Sequence, residues 1–284
     1  MLAAMISSRT PRLLSNVKHA DIIAEPYAHY TQTDAVPLPL YEELAAGFPP
    51  LAMIVNDRTD IGSNEAVRMT MKQVLADRRI PPLWREFFEY HTSAEYWRDV
   101  TRLFAVHFRR EFPELEERVG RPYEDWRVVP RGYAGEADVR LDCQFVMNTP
   151  VTRKSSVKTA HIDLCDKIFS ALFYMRDSQD GSAGGDLGIY DWRREPRFIK
   201  HRALHRDVSL VKTVPYRANS YLCFVNSEQA VHGVSPRDET QVPRRYINFI
   251  AEMPTKAFEP KQMSRLQRMW YANEVESALG DDKY

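Results

Sequence analysis

The sequence predicts a mainly β fold with a helical N-terminal part, and two observations support this fold class. The spacing of apolar residues changes from a helical period to an alternating one near residue 126. No helix-length segments separate the strand-like runs that follow. This disfavours a parallel sheet with crossover helices and favours an antiparallel sandwich or jelly roll.

A single domain is expected, because no linker rich in Gly, Ser or Pro divides the 284 residues. Within it we predict a mainly helical flanking region (1–125), a jelly-roll core (126–254) and a C-terminal helix (255–284). A hydrophobic fraction of 44% beside 27% charged residues is typical of an ordinary globular protein.

Charge and cysteine content limit the possible functions. The chain has 39 basic and 39 acidic residues, whereas a general nucleic-acid binder carries an excess of Lys and Arg. No apolar stretch reaches the roughly 18 residues that a membrane span needs. Cys143, Cys165 and Cys223 are widely spaced and form no CxxC motif, which favours reduced thiols in the cytoplasm. The expected partner is a small-molecule or peptide substrate, and the oligomeric state is left open.

The N-terminal part is predicted to begin with a frayed segment and to continue with helices. Residues 1–20 contain basic but no acidic side chains, which resembles an organellar transit peptide, although a frayed terminus is the favoured interpretation. Residues 38–48 form a first helix, with Pro39 in its first turn and Pro49 after its end.

A long amphipathic helix is predicted between Thr92 and Pro113. Thr92 and Glu95 have capping-box spacing at its start. Five residues recur at helical spacing on one face and should pack on the predicted sheet. They are Tyr96, Val100, Leu103, Phe104 and His107.

The second half contains five predicted strands, each short, rich in aromatic and β-branched residues and bounded by turn-forming residues. They span 143–148, 168–175, 186–192, 220–226 and 244–253. A C-terminal helix should follow, and we expect its apolar side to pack on the domain rather than form a dimer interface. That side consists of Met263, Leu266, Met269, Trp270 and Val275.

Two histidines and one aspartate in the β half are the candidate metal ligands. In an extended segment residues i and i+2 project to the same side, so His161 and Asp163 can bind one ion together. His232 follows another strand and can complete a facial set, which leaves three positions of octahedral iron(II) open. The triplet His-x-Asp also occurs at His205 and Asp207, where we interpret it as chance because the other motifs of a protein kinase are missing.

Five sequence pieces, in the same order, resemble the 2-oxoglutarate and iron(II)-dependent dioxygenases, in particular the prolyl-4-hydroxylase-like branch. They are HID at 161–163, LFYMRD, GSAGGDLGIY, VNSEQAVHGVSP and RRYINF. The resemblance covers residues 144–252 well and residues 38–48 loosely. It implies a double-stranded β-helix (jelly-roll) core flanked by α-helices, with His161, Asp163 and His232 as iron ligands.

The resemblance also implies an arginine or lysine on the strand after His232, which binds the far carboxylate of 2-oxoglutarate. Arg244 and Arg245 compete for this role, and only one can face the pocket because they point to opposite sides of a strand. We choose Arg245, since it shares a face with Ile247 and Phe249 and precedes a tyrosine. An arginine suits the role because its planar group makes two parallel bonds to a carboxylate.

Other residues are expected near the co-substrate or substrate. Tyr174 matches a tyrosine that bonds the same carboxylate in some relatives, although it could equally be a core aromatic residue. Gln144 and Asn148 are polar residues in an apolar strand and could meet the co-substrate or substrate. Asn226 and Asn248 could bond around the site, and for Asn226 a turn role is favoured. Gly184 and Gly185 suggest a turn with positive φ that brings the next strand under the metal site.

The resemblance implies a specific reaction. The cofactor would be Fe(II) and the co-substrates 2-oxoglutarate and O2, with ascorbate as a candidate reductant. The enzyme would hydroxylate a C–H bond of its substrate and release succinate and CO2. The reactive chemistry then belongs to the iron and the co-substrate, while the protein orients the reactants and excludes water.

Three alternatives remain. A zinc-dependent hydrolase could use the same ligands but would leave Arg245 and Tyr174 unexplained. A non-catalytic jelly-roll binding module would not require the complete set of three metal ligands. A halogenase is disfavoured because, by the resemblance, halogenating relatives lack the carboxylate that Asp163 supplies.

One basic segment gives the only indication of substrate charge. Residues 192–206 contain five arginines and one lysine, and their one acidic residue is Glu195. A solvated loop is the favoured interpretation, and recruitment of an anionic substrate is the alternative. In the alternative, Arg197 and Lys200 would steer the substrate towards the site.

Overall fold

The computed structural model describes residues 10–55, 58–156 and 158–271. Seven α-helices lie in these ranges, six of them before residue 120. They are α1 (Leu38–Ala46), α2 (Leu51–Val55), α3 (Met71–Ala76), α4 (Pro82–His91), α5 (Ala94–Glu111), α6 (Leu115–Val119) and α7 (Arg265–Trp270). None of these helices combines the length and the apolar character that a membrane crossing requires.

Ten strands form two sheets. They are β1 (His29–Thr33), β2 (Ala66–Thr70), β3 (Val128–Pro130), β4 (Val139–Asn148), β5 (Lys167–Tyr174), β6 (Leu187–Trp192), β7 (Val208–Val214), β8 (Ser220–Val225), β9 (His232–Val234) and β10 (Arg244–Glu252). The large sheet has the order β1-β8-β5-β10-β4-β2, with β3 beside β4, and the small sheet has the order β7-β6-β9. All pairings are antiparallel except that of β3 with β4. The predicted jelly-roll core with flanking helices is confirmed, and all five predicted strands are present.

The helices cover the outer face of the large sheet. Helix α5 lies on this face through Phe104, whose ring centroid is 5.4 Å from that of Phe169 on β5. All five residues of its predicted stripe are buried. Its cap is Ser93, whose Oγ accepts a hydrogen bond from the backbone N–H of Tyr96, so the prediction of Thr92 as the cap is wrong by one residue. The Thr92 hydroxyl instead donates to the Phe88 carbonyl at the end of α4.

The small sheet covers the inner face of the large one. Leu187 and Ile189 of β6 form one apolar cluster with Leu222 and Phe224 of β8. The cluster fills one end of the space between the two sheets. Polar residues line the space towards His232.

Both ends of the chain differ from the predictions. Leu13, Leu14 and Val17 are buried in the main core, so the segment from residue 10 is not a frayed terminus. At the other end, α7 is short, and Leu266, Met269 and Trp270 on it are exposed, Trp270 by 83%. The expectation that these side chains pack on the domain is wrong. Met263, just before α7, is buried against Ile199 and Leu204, and Val275 lies outside the described residues.

Candidate active site

His161, Asp163 and His232 lie together between the two sheets. Strand β9 starts at His232, and the backbone of His232 pairs with that of His161 through two hydrogen bonds of 2.8 and 2.9 Å. One potential ligand atom from each of the three residues lies within 4.8 Å of the others. Within the described ranges, no other group of three His, Cys, Asp or Glu side chains meets this criterion. The spacing argument that joined positions 161, 163 and 232 therefore agrees with the geometry.

Both imidazoles are oriented by backbone carbonyl groups. The Nδ1 of His161 lies 2.7 Å from the Thr159 carbonyl oxygen, and the Nδ1 of His232 lies 2.9 Å from that of Ala230. A carbonyl oxygen only accepts hydrogen bonds, so each Nδ1 carries the proton and each Nε2 presents its lone pair. Outer contacts of this kind fix the tautomer and the ring orientation of metal-binding histidines.

Two polar side chains hold Asp163 in place. The hydroxyl of Ser170, on β5, donates to Oδ2 of Asp163 over 2.7 Å. The Oδ1 of Asn226, at the end of β8, accepts from the backbone N–H of Asp163, and its Nδ2 donates to the carbonyls of Leu164 and Lys167. Asn226 thus ties the segment after His161 to the sheet, and the favoured interpretation of Asn226 as a turn residue is wrong.

The electrostatic environment keeps the three residues in the forms that bind metals. Burial lowers the pKa of His161 and of His232, so both rings are neutral near pH 7. Burial alone would raise the pKa of Asp163, but the nearby ammonium groups of Lys167 and Lys158 outweigh it and hold that pKa well below its ordinary value. Two neutral imidazoles and one carboxylate are the donor set of a facial iron(II) site.

A cavity of about 510 Å³ opens beside these three residues. Six apolar residues supply part of the wall, and the other lining residues are polar or charged. The apolar residues are Ala66, Leu164, Leu172, Leu187, Phe224 and Val234. The volume lies within the range of small-molecule sites in proteins.

Arg244, and not Arg245, reaches this cavity. Its guanidinium carbon lies 5.1, 4.8 and 4.7 Å from the ring centroids of Tyr174, Tyr216 and Tyr246. Its Nε donates to the carbonyl of Gly185 over 3.1 Å. Arg244 is therefore held rigidly among aromatic rings at one end of the cavity.

Arg245 points to the opposite face of β10. Its Nε donates to the Met175 carbonyl, its Nη2 pairs with Asp177 at 3.2 Å, and its guanidinium lies over the ring of Phe48. The choice of Arg245 as the arginine that faces the pocket is wrong. The apolar residues Ile247 and Phe249 share its face because that face packs on the helices, not because it lines the site.

Three buried donors at the Arg244 end have no hydrogen-bond partner among the described residues. They are Nη2 of Arg244, the hydroxyl of Tyr174 and Nδ2 of Asn148. Burial raises the pKa of Tyr174 to about 12, so its hydroxyl is protonated at neutral pH. Unpaired buried donors are unfavourable, and a cationic set of them is suited to bind an anionic acceptor such as a carboxylate.

The other polar residues that were predicted to lie near a ligand differ in whether they line the cavity. Asn148 lines the cavity, and its Oδ1 lies 3.4 Å from Nη1 of Arg244. Asn248 also lines the cavity and donates to Oε1 of Gln144. The amide of Gln144 is further bonded to Asp142 and does not line the cavity, which corrects the prediction that Gln144 meets a ligand directly.

The turn at Gly184 and Gly185 has positive φ angles of 81° and 79°, as predicted. A Cβ atom on Gly184 would lie 1.9 Å from the Pro236 carbonyl oxygen, so only glycine fits there. The turn leads into β6 and places the Gly185 carbonyl against Arg244.

No protein-family model and no curated protein matches the sequence. Solved structures do match. One is a Pseudomonas putida prolyl-4-hydroxylase, with 13% identity, a TM-score of 0.41 and coverage of 79% of this chain and 92% of that one. Another is an oxidoreductase of the 2OG-Fe(II) oxygenase family from Burkholderia pseudomallei, with 10% identity, a TM-score of 0.40 and coverage of 82% of this chain and 86% of that one.

A third match is the non-haem alpha-ketoglutarate-dependent epimerase SnoN from nogalamycin biosynthesis, with 12% identity and a TM-score of 0.45. The match covers 80% of this chain and 77% of SnoN. At such low identities and TM-scores the function has to be argued from the site itself.

The basic segment 192–206 is divided between the surface and the cavity. Arg194 pairs with Asp207 at 3.2 Å and Arg197 with Glu195 at 2.8 Å, and neither lines the cavity. Lys200 and Arg202 do line it. Arg202 is buried and donates to the hydroxyl of Thr159, so the interpretation of the whole segment as a solvated loop is wrong at this position.

Several residues of the site were missed by the sequence patterns. Lys158, Lys167 and Arg68 bring positive charge to the cavity from three separate segments, and nothing in their spacing predicts this. Ser170 could have been found, because it alternates with Leu172 and Tyr174 on β5 and is the polar member of that face. Tyr216 holds the backbone of β10, accepting a hydrogen bond of 2.8 Å from the N–H of Arg245.

Proposed function

We propose that the protein is a non-haem iron(II) and 2-oxoglutarate-dependent dioxygenase that hydroxylates a C–H bond of its substrate. One observation carries the proposal. A facial set of two neutral imidazoles and a carboxylate shares a cavity with a buried arginine whose neighbouring donors are unpaired. The first group suits iron(II), and the second suits the far carboxylate of 2-oxoglutarate.

The residues fit this cofactor pair in their donor chemistry. The Nε2 atoms of His161 and His232 and the carboxylate of Asp163 would hold the metal. When bound, iron(II) and 2-oxoglutarate supply the oxidation, in which 2-oxoglutarate and O2 give succinate, CO2 and a hydroxylated substrate. Ascorbate is the candidate reductant.

The remaining residues position the co-substrate and exclude water. Arg244 would pair with the far carboxylate, and the protonated hydroxyl of Tyr174 would donate to it. The aromatic rings around Arg244 restrict the rotamers of its side chain, so little entropy is lost when the carboxylate binds. The apolar side chains of Leu172, Leu187 and Phe224 would limit the access of water to the reacting centre.

A zinc-dependent hydrolase or a binding module is supported less well. Zinc could use the same three ligands. Neither alternative, however, gives a role to three buried donors that gather around Arg244 without partners. We therefore retain the hydrolase only as an outcome that the following experiment can reveal.

The test measures iron binding and 2-oxoglutarate turnover in the purified protein. We expect one iron(II) per chain and slow formation of succinate without substrate. His232→Ala should lower the metal affinity by more than about 100-fold, because loss of a ligand exceeds the effect of losing an outer contact. His201→Ala is the matched control for metal affinity, since His201 lines the same cavity outside the ligand set.

Two results would contradict the proposal. One is unchanged iron affinity and succinate formation in His232→Ala. The other is tight zinc binding with hydrolytic activity and no succinate from the iron-loaded protein.

A further inference from the structure

The carboxylate of Asp163 lies between two ammonium groups that come from different segments of the chain. Nζ of Lys158 lies 3.9 Å from Oδ1 of Asp163, and Nζ of Lys167 lies 3.6 Å from Oδ2. Lys158 precedes His161 in the sequence, whereas Lys167 begins β5. Both side chains also line the cavity. We call Lys158 and Lys167 the lysine pair.

The lysine pair acts on Asp163 through charge rather than through hydrogen bonds. Distances of 3.6 and 3.9 Å are too long for N–H···O hydrogen bonds. The hydroxyl of Ser170 is the side-chain group that donates to this carboxylate, over 2.7 Å. Asn226 accepts from the backbone N–H of Asp163. The orientation of Asp163 therefore depends on Ser170 and Asn226, and the lysine pair adds positive charge beside it.

This positive charge lies close to the ligand atoms. Oδ1 of Asp163 is 4.0 Å from Nε2 of His161, the ring nitrogen that presents its lone pair. Lys158 lies beside the same carboxylate oxygen. A cation held by Oδ1 and by Nε2 would therefore lie well within the roughly 8 Å over which charges interact in physiological salt.

Little solvent screens the contact between Lys167 and Asp163, because each of these side chains is only 16% exposed. Lys158 is more exposed and reaches Asp163 from within the same cavity. Charges interact more strongly in a partly enclosed site, where protein replaces much of the water, than they do in bulk solvent. The lysine pair therefore opposes a cation at this site more strongly than lysines on the open surface would.

We propose that the lysine pair selects the oxidation state of the bound metal, because it weakens the binding of iron(III) more than that of iron(II). The electrostatic repulsion grows with the charge of the ion, so a trication is opposed more than a dication. The proposal rests on the proposed function, which requires iron(II). The single electron that converts iron(III) to iron(II) comes from an external reductant of the ascorbate type, and the lysine pair shifts only the equilibrium.

Calorimetric titration with manganese(II) tests whether the lysine pair opposes a cation. Lys158→Met and Lys167→Met each remove one charge and keep a long, unbranched side chain. We expect each variant to bind manganese(II) about tenfold more tightly than the wild type. A purely structural role would have the opposite sign, because a displaced Asp163 would bind the metal less tightly. Each lysine is changed singly, so that the other variant decides if one does not fold.

Two kinds of control variant accompany this titration. Lys158→Arg and Lys167→Arg keep the charge and should bind manganese(II) nearly as the wild type does. Lys154→Met removes the same charge outside the cavity, where the ammonium group pairs with Asp238 at 2.8 Å, and it should leave the metal affinity unchanged.

The reduction potential of the bound iron tests the selection between oxidation states. It is measured in the iron-loaded protein by anaerobic redox titration. We expect each Met variant to gain about tenfold in affinity for iron(III) relative to iron(II), which lowers the potential by about 59 mV for this one-electron couple. The potentials of the Arg variants and of Lys154→Met should stay close to that of the wild type.

The outcomes separate this inference from the proposed function. Unchanged or weakened manganese(II) binding in both Met variants overturns the inference, and so does an equal gain in Lys154→Met. Tighter manganese(II) binding with an unchanged potential also overturns it, because the lysine pair then does not distinguish oxidation states. If the Met variants behave as expected but the iron-loaded wild type forms no succinate, the inference stands and the proposed function fails.

Discussion

The two faces of strand β10 carry different kinds of residue. Ile247 and Phe249 point to the helices and are buried in the main apolar core. Arg244, Tyr246 and Asn248 alternate with them and point into the cavity. The same contrast continues across the large sheet, where Phe169 and Phe173 of β5 face the helices while Ser170 faces Asp163.

The contrast shows how stability and function are divided in this molecule. The helix-facing side chains are satisfied by contacts within the protein, and their burial stabilises the fold. On the cavity side, Arg244, Tyr174 and Asn148 retain donors that no described residue satisfies. We therefore expect substitutions on the first face to change the free energy of unfolding, and substitutions on the second face to change ligand binding.

The largest effect should come from Phe249→Ala on the helix-facing side. The Phe249 ring lies 5.1 Å from that of His91 and 6.0 Å from that of Tyr221, so truncation leaves a cavity within an aromatic cluster. We expect the free energy of unfolding to fall by about 3 to 5 kcal/mol, measured by denaturant titration. Leu172→Ala, on the cavity side of β5, should lower the free energy of unfolding clearly less. Equal losses would mean that both faces contribute to the core alike.

The two adjacent arginines test the contrast within one strand. Arg244→Ala should raise the 2-oxoglutarate concentration needed for half-maximal turnover about tenfold or more, because loss of a charged partner from a buried carboxylate costs roughly 2 to 5 kcal/mol. Arg245→Ala should leave this concentration nearly unchanged, since Arg245 faces Asp177 and Phe48. A titration that ranked the two variants in the opposite order would show that the assignment of faces is wrong.

His91 makes the helix-facing side sensitive to acid. Burial lowers its pKa to about 3, below the ordinary value of 6.5, so the unfolded chain binds a proton between these values that the folded chain does not. Stability should fall with decreasing pH in this window, by up to about 1.4 kcal/mol per pH unit from this group. His91→Phe should show a shallower decline in unfolding titrations between about pH 6 and 4. Parallel curves for the two proteins would exclude His91 as the source.

The smallest effect is expected for Ser170→Ala on the cavity side. Removing the hydroxyl that donates to Asp163 should weaken iron(II) binding by about tenfold, within the range for outer contacts of metal ligands. Ser220→Ala is the control, because the buried hydroxyl of Ser220 on neighbouring β8 has no partner among the described residues. Metal affinity that fell equally in both variants would show that Ser170 acts through packing only.

Sequence patterns predicted the elements that local spacing defines. Alternation of apolar residues located all five expected strands, and the helical stripe on α5 is buried as expected. The i and i+2 rule joined His161 to Asp163, since it depends only on extended geometry. The cap of α5 was missed by one residue because Thr92 and Ser93 are both good capping residues and packing of α4 decides between them.

The spacing of apolar residues could not decide between Arg244 and Arg245, because both faces of β10 are covered by other parts of the protein. Helices bury one face and the small sheet encloses the other, so apolar neighbours do not identify the pocket. The polar residues Tyr246 and Asn248 on the Arg244 face were the better signal.

The sequence by itself determined the class of fold, the positions of five of the ten strands and the pairing of His161 with Asp163, because each depends on periodicities or contacts within short stretches of chain. His232 lies on a distant segment, and it was joined to these two residues by its ligand chemistry and by the resemblance to a known family. Only the tertiary structure decided which face of the large sheet lines the cavity and which cations surround it. Arg68, Lys167 and Lys200 belong to separate segments, and the folding of these segments around the metal ligands brings their charges together. This proximity arises from the packing of the two sheets, and it produces no regular spacing of these residues in the sequence.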